Sequence, residues 1–219
     1  MTDSADLTLD EIRVLLAPAI AENAAFDGWG AAARDMAAEM NGIDRDVAAL
    51  AFPGGAVDMI DAWFASVDAA MLVTLPPERL AAMKIRQRIT ALVEARLAAT
   101  APHREALRRA LAILAMPQNV ATAAKLGWRS VDTMWRAAGD VAADYNHYTK
   151  RAMLFAVYGA TVTVFLDDES EDHAETRAFL ARRIDGIMRF EKAKAGITRR
   201  AQRRPSLTRF VGRLRYPVV

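Results

Sequence analysis

The stretch GDVAADYNHYTKRAM, residues 139–153, crowds more chemistry into a short space than any other part of this 219-residue chain. Asp144 and His147 stand three apart, which on a helix puts a carboxylate and an imidazole on one face. Carboxylate-x-x-His is half of a di-iron bundle site, and the other half must be a second copy with two more inward-facing acids. The remaining histidines are His103 and His173, preceded three residues earlier by Thr100 and Ser170, so the second copy is missing. Nucleophilic chemistry fares no better. There is no cysteine, no serine sits in a Gly-x-Ser-x-Gly elbow, and no Gly-rich run could cradle a phosphate. The sequence therefore makes no case for an enzyme: no catalytic residue, metal ligand or cofactor is expected. The stretch is then either a binding surface or the polar start of a buried helix.

Elements that could position it are helical almost throughout. Thr8 is a candidate N-cap with Glu11 as its capping-box partner, followed by Ile12, Leu15, Leu16 and Ile20 at helical spacing. Helices are predicted at about 29–40, stopped by Asn41-Gly42, at 44–50, and at 56–74, stopped by Pro76-Pro77. The pattern resumes from Glu78 to Thr100, then at about 103–115, 118–126, 130–144, 146–166 and 173–193. An acidic loop, DDESED at 167–172, separates the last two. No strand-like alternation, internal repeat or Gly-Ser linker interrupts this, so the expected fold is all-α, with about nine helices and a tail. The 152–166 helix is apolar on nearly all sides and rich in small residues, which fits either packing on every face or lining an apolar cavity.

The net charge of +2 conceals a strong polarity. Residues 1–83 carry four arginines, no lysine and 14 acids, a net of −10, whereas the other 136 residues carry a net of +12. The first three helices are spaced like a helix-turn-helix unit, but the third reads DRDVAAL. A DNA reader needs bases to neutralise phosphates and donors to reach base edges, so DNA binding here would work against the unit's own charge. The N-terminus has acids before any base, unlike a signal or transit peptide. The longest apolar run, 15 residues from Ala152 to Leu166, falls short of a membrane span.

Beyond Pro205, Leu207, Phe210, Val211 and Leu214 fall at i, i+3, i+4 and i+7, with Arg209, Arg213 and Arg215 on the remaining faces. This is the pattern of a short basic helix lying on an anionic membrane. The alternatives are a flexible basic tail and one that binds nucleic acid non-specifically.

Several motifs together resemble the coenzyme Q biosynthesis protein nine family. They comprise Met134-Trp135, Gly139-Asp140, Asp144-x-Asn146-x-Tyr148-Thr149, Arg151-Ala152 and Tyr158. Further on come Asp168-x-Ser170-x-Asp172 and Thr176-x-x-Phe179-Leu180-x-x-Arg183, and upstream FPGG at 52–55 and ALAILAMPQNV at 110–120. The resemblance implies a TetR-like fold without DNA binding, a lipid or isoprenoid held in an apolar cavity, and homodimerisation through the last long helices. It also implies membrane contact through a C-terminal amphipathic helix. Such proteins assist ubiquinone synthesis by presenting lipid intermediates to the di-iron ring hydroxylase and are not the catalyst.

On this reading the chain divides into a helix-turn-helix-like unit (1–55), a lipid-binding and dimerising domain (56–195) and a membrane-contacting tail (196–219). Candidate lining residues, chosen by helical face, are Leu111, Leu114, Met134, Met153, Val157 and Phe165. The resemblance places partner contacts on Trp135, Asp140, Asp144, His147, Tyr148 and Arg151, with His147 standing where the family usually has tryptophan. Membrane contacts fall on Leu207, Arg209, Phe210, Val211, Arg213 and Leu214. The expected location is the bacterial cytoplasm, peripheral on the inner membrane. The competing reading is a TetR-like transcriptional regulator with an apolar effector pocket.

Overall fold

The computed structural model describes residues 7–140 and 145–202. Among the described residues there are ten α-helices and no strand: α1 (Leu9–Asp27), α2 (Ala31–Met40), α3 (Arg45–Ala51), α4 (Ala56–Thr74), α5 (Pro77–Ala81), α6 (Ile85–Thr100), α7 (Arg104–Leu114), α8 (Val120–Ala137), α9 (Tyr145–Asp167) and α10 (Ala174–Gln202). They divide into two compact units that meet at Leu180 and Ala181.

Local chemistry sets the helix ends. Glu11 N donates to Thr8 Oγ1 at 3.3 Å and Thr8 N donates to Glu11 Oε2 at 2.8 Å, the reciprocal box that satisfies two orphan donors. Asp44 caps α3 by accepting from the amides of Asp46 and Val47. Buried alanines on α1 and α2 (Ala17, Ala21, Ala33, Ala37) carry no bulk beyond Cβ, which lets the two helices approach closely. Larger side chains fill the space towards α4: Ile12, Leu16 and Ile20 face Met59, Ile60 and Trp63 in one core. Trp29 joins it, its ring 5.3 Å from that of Trp63 and its Nε1 donating to the Ala106 carbonyl at 2.9 Å.

Two helix expectations are corrected. The pattern from Glu78 to Thr100 is not one helix, because the backbone opens at Met83 and Lys84. Arg88 makes that break affordable, donating through Nε to Met83 O (2.9 Å) and through Nη2 to Ala81 O (3.3 Å), carbonyls that a continuous helix would have paired. Conversely, the expected pair at 118–126 and 130–144 is the single helix α8, which ends at Ala137. Gly127 does not break it. A Cβ at that position would lie 2.5 Å from Phe155 Cε2, so the glycine serves close packing of α8 on α9. The stop comes instead at Gly139 (φ +88°), where Gly139 N donates to Arg136 O and Asp140 N to Trp135 O.

α9 is not buried on every face. Arg151, Leu154, Thr161, Val162 and Phe165 are buried, while Ala152, Phe155, Ala156, Gly159, Ala160 and Thr163 form an exposed stripe. Its C-terminus is held by Arg104, which donates to the carbonyls of Leu166 and Asp168 at 2.9 Å each, a cation placed on orphan helix-end acceptors. Among the described residues no helix is long and apolar enough to cross a membrane.

Candidate functional site

An apolar cavity of about 550 Å³ lies between α6, α7, α8 and α9, within the usual range for small-molecule sites. Leu107, Leu111 and Leu114 of α7 form one wall, Ala123, Ala124 and Gly127 of α8 another, and Phe155, Gly159, Val162 and Thr163 of α9 a third. Val120, Ala124, Gly159 and Thr163 are exposed, so the cavity opens to the surface between α8 and α9. Small residues on facing helices create this space: Ala123 and Ala124 on α8 and Gly159 on α9 leave unfilled what larger side chains would occupy.

The inner end is polar. Arg96, 2% exposed, donates through Nε to Asp68 Oδ1 at 2.7 Å, through Nη2 to Ser130 Oγ at 3.1 Å, and through Nη1 to the Tyr158 hydroxyl. Ser130 Oγ donates in turn to Asp68 Oδ2 at 3.0 Å. The guanidinium is held between the rings of Phe64 and Tyr158, 5.2 Å from each centroid. Burial alone would lower the Arg96 pKa, but Tyr158 and Asp68 outweigh it and hold the guanidinium charged. Burial pushes the Tyr158 phenol above its ordinary value, so it keeps its proton. Arg96, Phe64, Ser130 and Tyr158 all line the cavity.

Six lining residues were expected from helical faces, and the structure distributes them unevenly. Leu111 and Leu114 line this cavity, whereas Met153 and Val157 do not and Met134 is fully buried in the core. Phe165 lines a separate, smaller cavity of about 180 Å³ with Glu94, His173, Thr176 and Arg177. Arg96, Asp68 and Ser130 escaped the sequence reading. The available signal was a charged residue amid apolar periodicity on each helix, Asp68 in ASVDAAM and Arg96 in VEARLAA.

The crowded stretch that begins α9 also separates into two roles. Arg151 is 1% exposed and donates to Asp132 Oδ1 at 2.6 Å, to Asp140 Oδ2 at 3.1 Å and to the His147 carbonyl at 3.2 Å. Lys150 Nζ donates to Asp140 Oδ1 at 2.7 Å, and Trp135 Nε1 donates to the Lys150 carbonyl at 3.2 Å. Arg151 and Asp140, expected as partner contacts, are thus corrected to an internal clamp that ties the start of α9 to α8. They occupy it because a helix start rich in donors meets the acid-bearing end of its neighbour. Burial would raise the Asp140 pKa, but hydrogen bonds from Lys150 and Arg151 bring it below the usual carboxylate value.

Tyr148, by contrast, is 63% exposed, with its ring edge-on to His147 at 5.0 Å and stacked with Trp128 of α8 at 6.4 Å. Sequence periodicity does not single out Trp128, which falls between the helices expected at 118–126 and 130–144 and lies instead within the continuous α8. Asp144 lies outside the described residues, as do Leu207, Arg209, Phe210, Val211, Arg213 and Leu214.

In the helix-turn-helix-like unit, both bases on α2 and α3 are paired, Arg34 with Asp35 and Arg45 with Glu39. Met36, Met40, Val47 and Leu50 are exposed on the same helices. Such a surface offers a phosphate backbone neither free cations nor base-reading donors. Among the described residues no three His, Cys, Asp or Glu side chains converge to hold a metal ion.

Residues 120–191, which contain α8 and α9, match the COQ9 family model. Over these residues, about a third of its length, the chain is similar to the COQ9 family. Its relatives include the human mitochondrial ubiquinone biosynthesis protein COQ9, 43% identical over 96 residues, or 44% of this chain and 30% of that protein. The Drosophila melanogaster mitochondrial COQ9 is 27% identical over 193 residues, covering 86% of this chain and 59% of the fly protein. The chain thus matches less than two thirds of the length of these relatives. A TetR transcriptional regulator from Nitrosomonas europaea superposes with a TM-score of 0.64 at 25% identity, over 79% of this chain and 95% of that one. The fold is TetR-like. The COQ9 segment supplies the α8 and α9 walls of the cavity and the Trp128–Tyr148 surface, while α4, α6 and α7 supply the rest.

Proposed function

We propose that this chain is a non-enzymatic accessory protein of ubiquinone biosynthesis. It holds a lipid or isoprenoid in the α6–α9 cavity and presents quinone intermediates to the di-iron ring hydroxylase. The observation that carries this reading is the apolar cavity opening between α8 and α9, both within the segment that matches COQ9. Docking of the hydroxylase falls on the aromatic cluster of half-buried Trp128 and His147 with exposed Tyr148, tryptophan and tyrosine being residue types that often dominate interfaces. Homodimerisation runs through the last long helices. Peripheral attachment to the membrane that holds the quinone, in a bacterium the inner membrane, falls to residues 199–219. The curated relatives are named as mitochondrial.

The decisive test is mass spectrometry of lipid extracted from the purified protein, compared with a Leu111→Trp variant that fills the cavity. An isoprenoid or phospholipid at near-stoichiometric amount, lost in the variant, is the expected result. A protein that stays empty after incubation with quinone-containing vesicles refutes the carrier role. The TetR-like neighbour favours one second reading, a transcriptional regulator whose effector occupies the same cavity. Sequence-specific DNA retention at physiological salt would decide for it.

A further inference from the structure

The inner end of the cavity has an unspent hydrogen-bond donor. A phenol has one O–H to donate and lone pairs to accept, and Tyr158 already accepts from Arg96. Its own proton finds no acceptor among the described residues. The Asp68 carboxylate accepts from Arg96 at Oδ1 and from Ser130 at Oδ2, and no hydrogen bond runs to either oxygen from the phenol. The phenol cannot turn away to find another acceptor, because Arg96 is wedged between its ring and that of Phe64. It also keeps its proton, since burial holds its pKa up.

Charge at this point is balanced. The Arg96 cation is matched by the Asp68 anion, and the other residues lining the cavity are uncharged. An incoming carboxylate or phosphate would be desolvated with no free cation to meet it, and an amine with no free anion. A neutral acceptor oxygen carries neither penalty. We infer that the Tyr158 hydroxyl donates to an uncharged carbonyl-type oxygen at the inner end of a long-chain ligand whose apolar part runs past Leu107, Leu111 and Val162 towards the opening. This rests on the carrier reading above and narrows its ligand to neutral oxygenated lipids, inserted oxygen end first.

The test displaces a neutral apolar fluorophore, N-phenyl-1-naphthylamine, from the full chain with three probes of equal chain length: tridecane, 2-tridecanone and tridecanoate. In the unaltered protein the ketone should bind roughly five- to tenfold tighter than the hydrocarbon, the worth of one buried neutral hydrogen bond, and the carboxylate weakest. Tyr158→Phe should bring the ketone down to the hydrocarbon and leave the hydrocarbon unchanged. Asp68→Asn should improve the carboxylate relative to the ketone, because it frees the Arg96 charge, and this arm stands if Tyr158→Phe does not fold. The inference is overturned if the carboxylate outbinds the ketone in the unaltered protein, if the ketone preference survives Tyr158→Phe, or if Asp68→Asn leaves the order unchanged. Failure of fluorophore and all three probes to bind the unaltered protein would sink the carrier reading itself.

Discussion

Replacing Arg151 by methionine separates an internal clamp from a docking residue. The side chain is 1% exposed and bridges Asp132 (19%) and Asp140 (7%), so its loss leaves two carboxylates in a partly dry environment. Breaking a buried ion pair costs about 3–5 kcal/mol. Here Asp140 keeps Lys150 at 2.7 Å and Asp132 keeps Arg136 at 2.8 Å, which places the cost at the lower end, about 3 kcal/mol. For a chain of this size that is a fall in Tm of roughly 6–12 °C. The pH dependence has a definite sign. Asp140 is held below the usual carboxylate pKa in the folded state, so its contribution is complete above the unfolded value of about 4 and is lost as pH falls below it. Thermal unfolding followed by circular dichroism should therefore show a large gap between the two proteins at pH 7 and a smaller one at pH 3. A fall of under about 3 °C at pH 7, or an equal fall at both pH values, would refute the clamp. So would an unchanged Tm accompanied by lost hydroxylase affinity, which would restore Arg151 to the surface role.

Asp168 offers a parallel case. Its carboxylate accepts from Ser170 N (2.9 Å), Ser170 Oγ (2.5 Å), Thr176 N (2.8 Å) and Thr176 Oγ1 (2.5 Å). Asp168→Asn sets an amide N–H₂ against two of these donors. The carboxylate is 2% exposed, so leaving these donors unpaired costs about 2 kcal/mol, or roughly 4–8 °C in Tm. Burial opposes the charge, but the hydroxyl and amide donors hold the pKa far below normal, so this loss too should fade as pH drops below about 4. Gly127→Ala gains helix propensity of about 1 kcal/mol and pushes the Phe155 ring outward. Its Tm should stay within roughly 4 °C while apolar fluorophore binding at the cavity weakens; an unchanged binding isotherm would show that Phe155 does not shape the opening. Trp128→Ala and Tyr148→Ala should each weaken hydroxylase binding by about tenfold or more in a calorimetric titration with Tm nearly unaltered, and full affinity in both would move the interface elsewhere.

Much of the fold was legible in the sequence because its signals are local. The capping box at Thr8 and Glu11, the Asn41-Gly42 stop and the Asp44 cap act within one helical turn. The helix ends that were misread depend on distant residues. Arg88 supports the break at Met83 by satisfying carbonyls there and also donates to Ala138 O, fifty residues away. Gly127 reads as a helix breaker until Phe155 is seen packed against it. The site was legible only in part for the same reason. Periodicity marked Leu111 and Leu114 as apolar faces, but it also marked Met134, and no local pattern separates a side chain facing a void from one facing another side chain.

Sequence alone determined the all-α class, most helix limits, the charge division between the two ends and the absence of thiol chemistry, each a matter of composition or of contacts within a turn. Tertiary structure decided where the emptiness lies and which charges are spent. Asp68, Arg96, Ser130 and Tyr158 come from four helices, and only their convergence makes a neutral polar end to an apolar cavity. Likewise Arg151 and Tyr148, three residues apart and both against α8, became an internal clamp and an exposed ring because Arg151 meets the carboxylates of Asp132 and Asp140 while Tyr148 lies beside Trp128 with its ring largely in solvent.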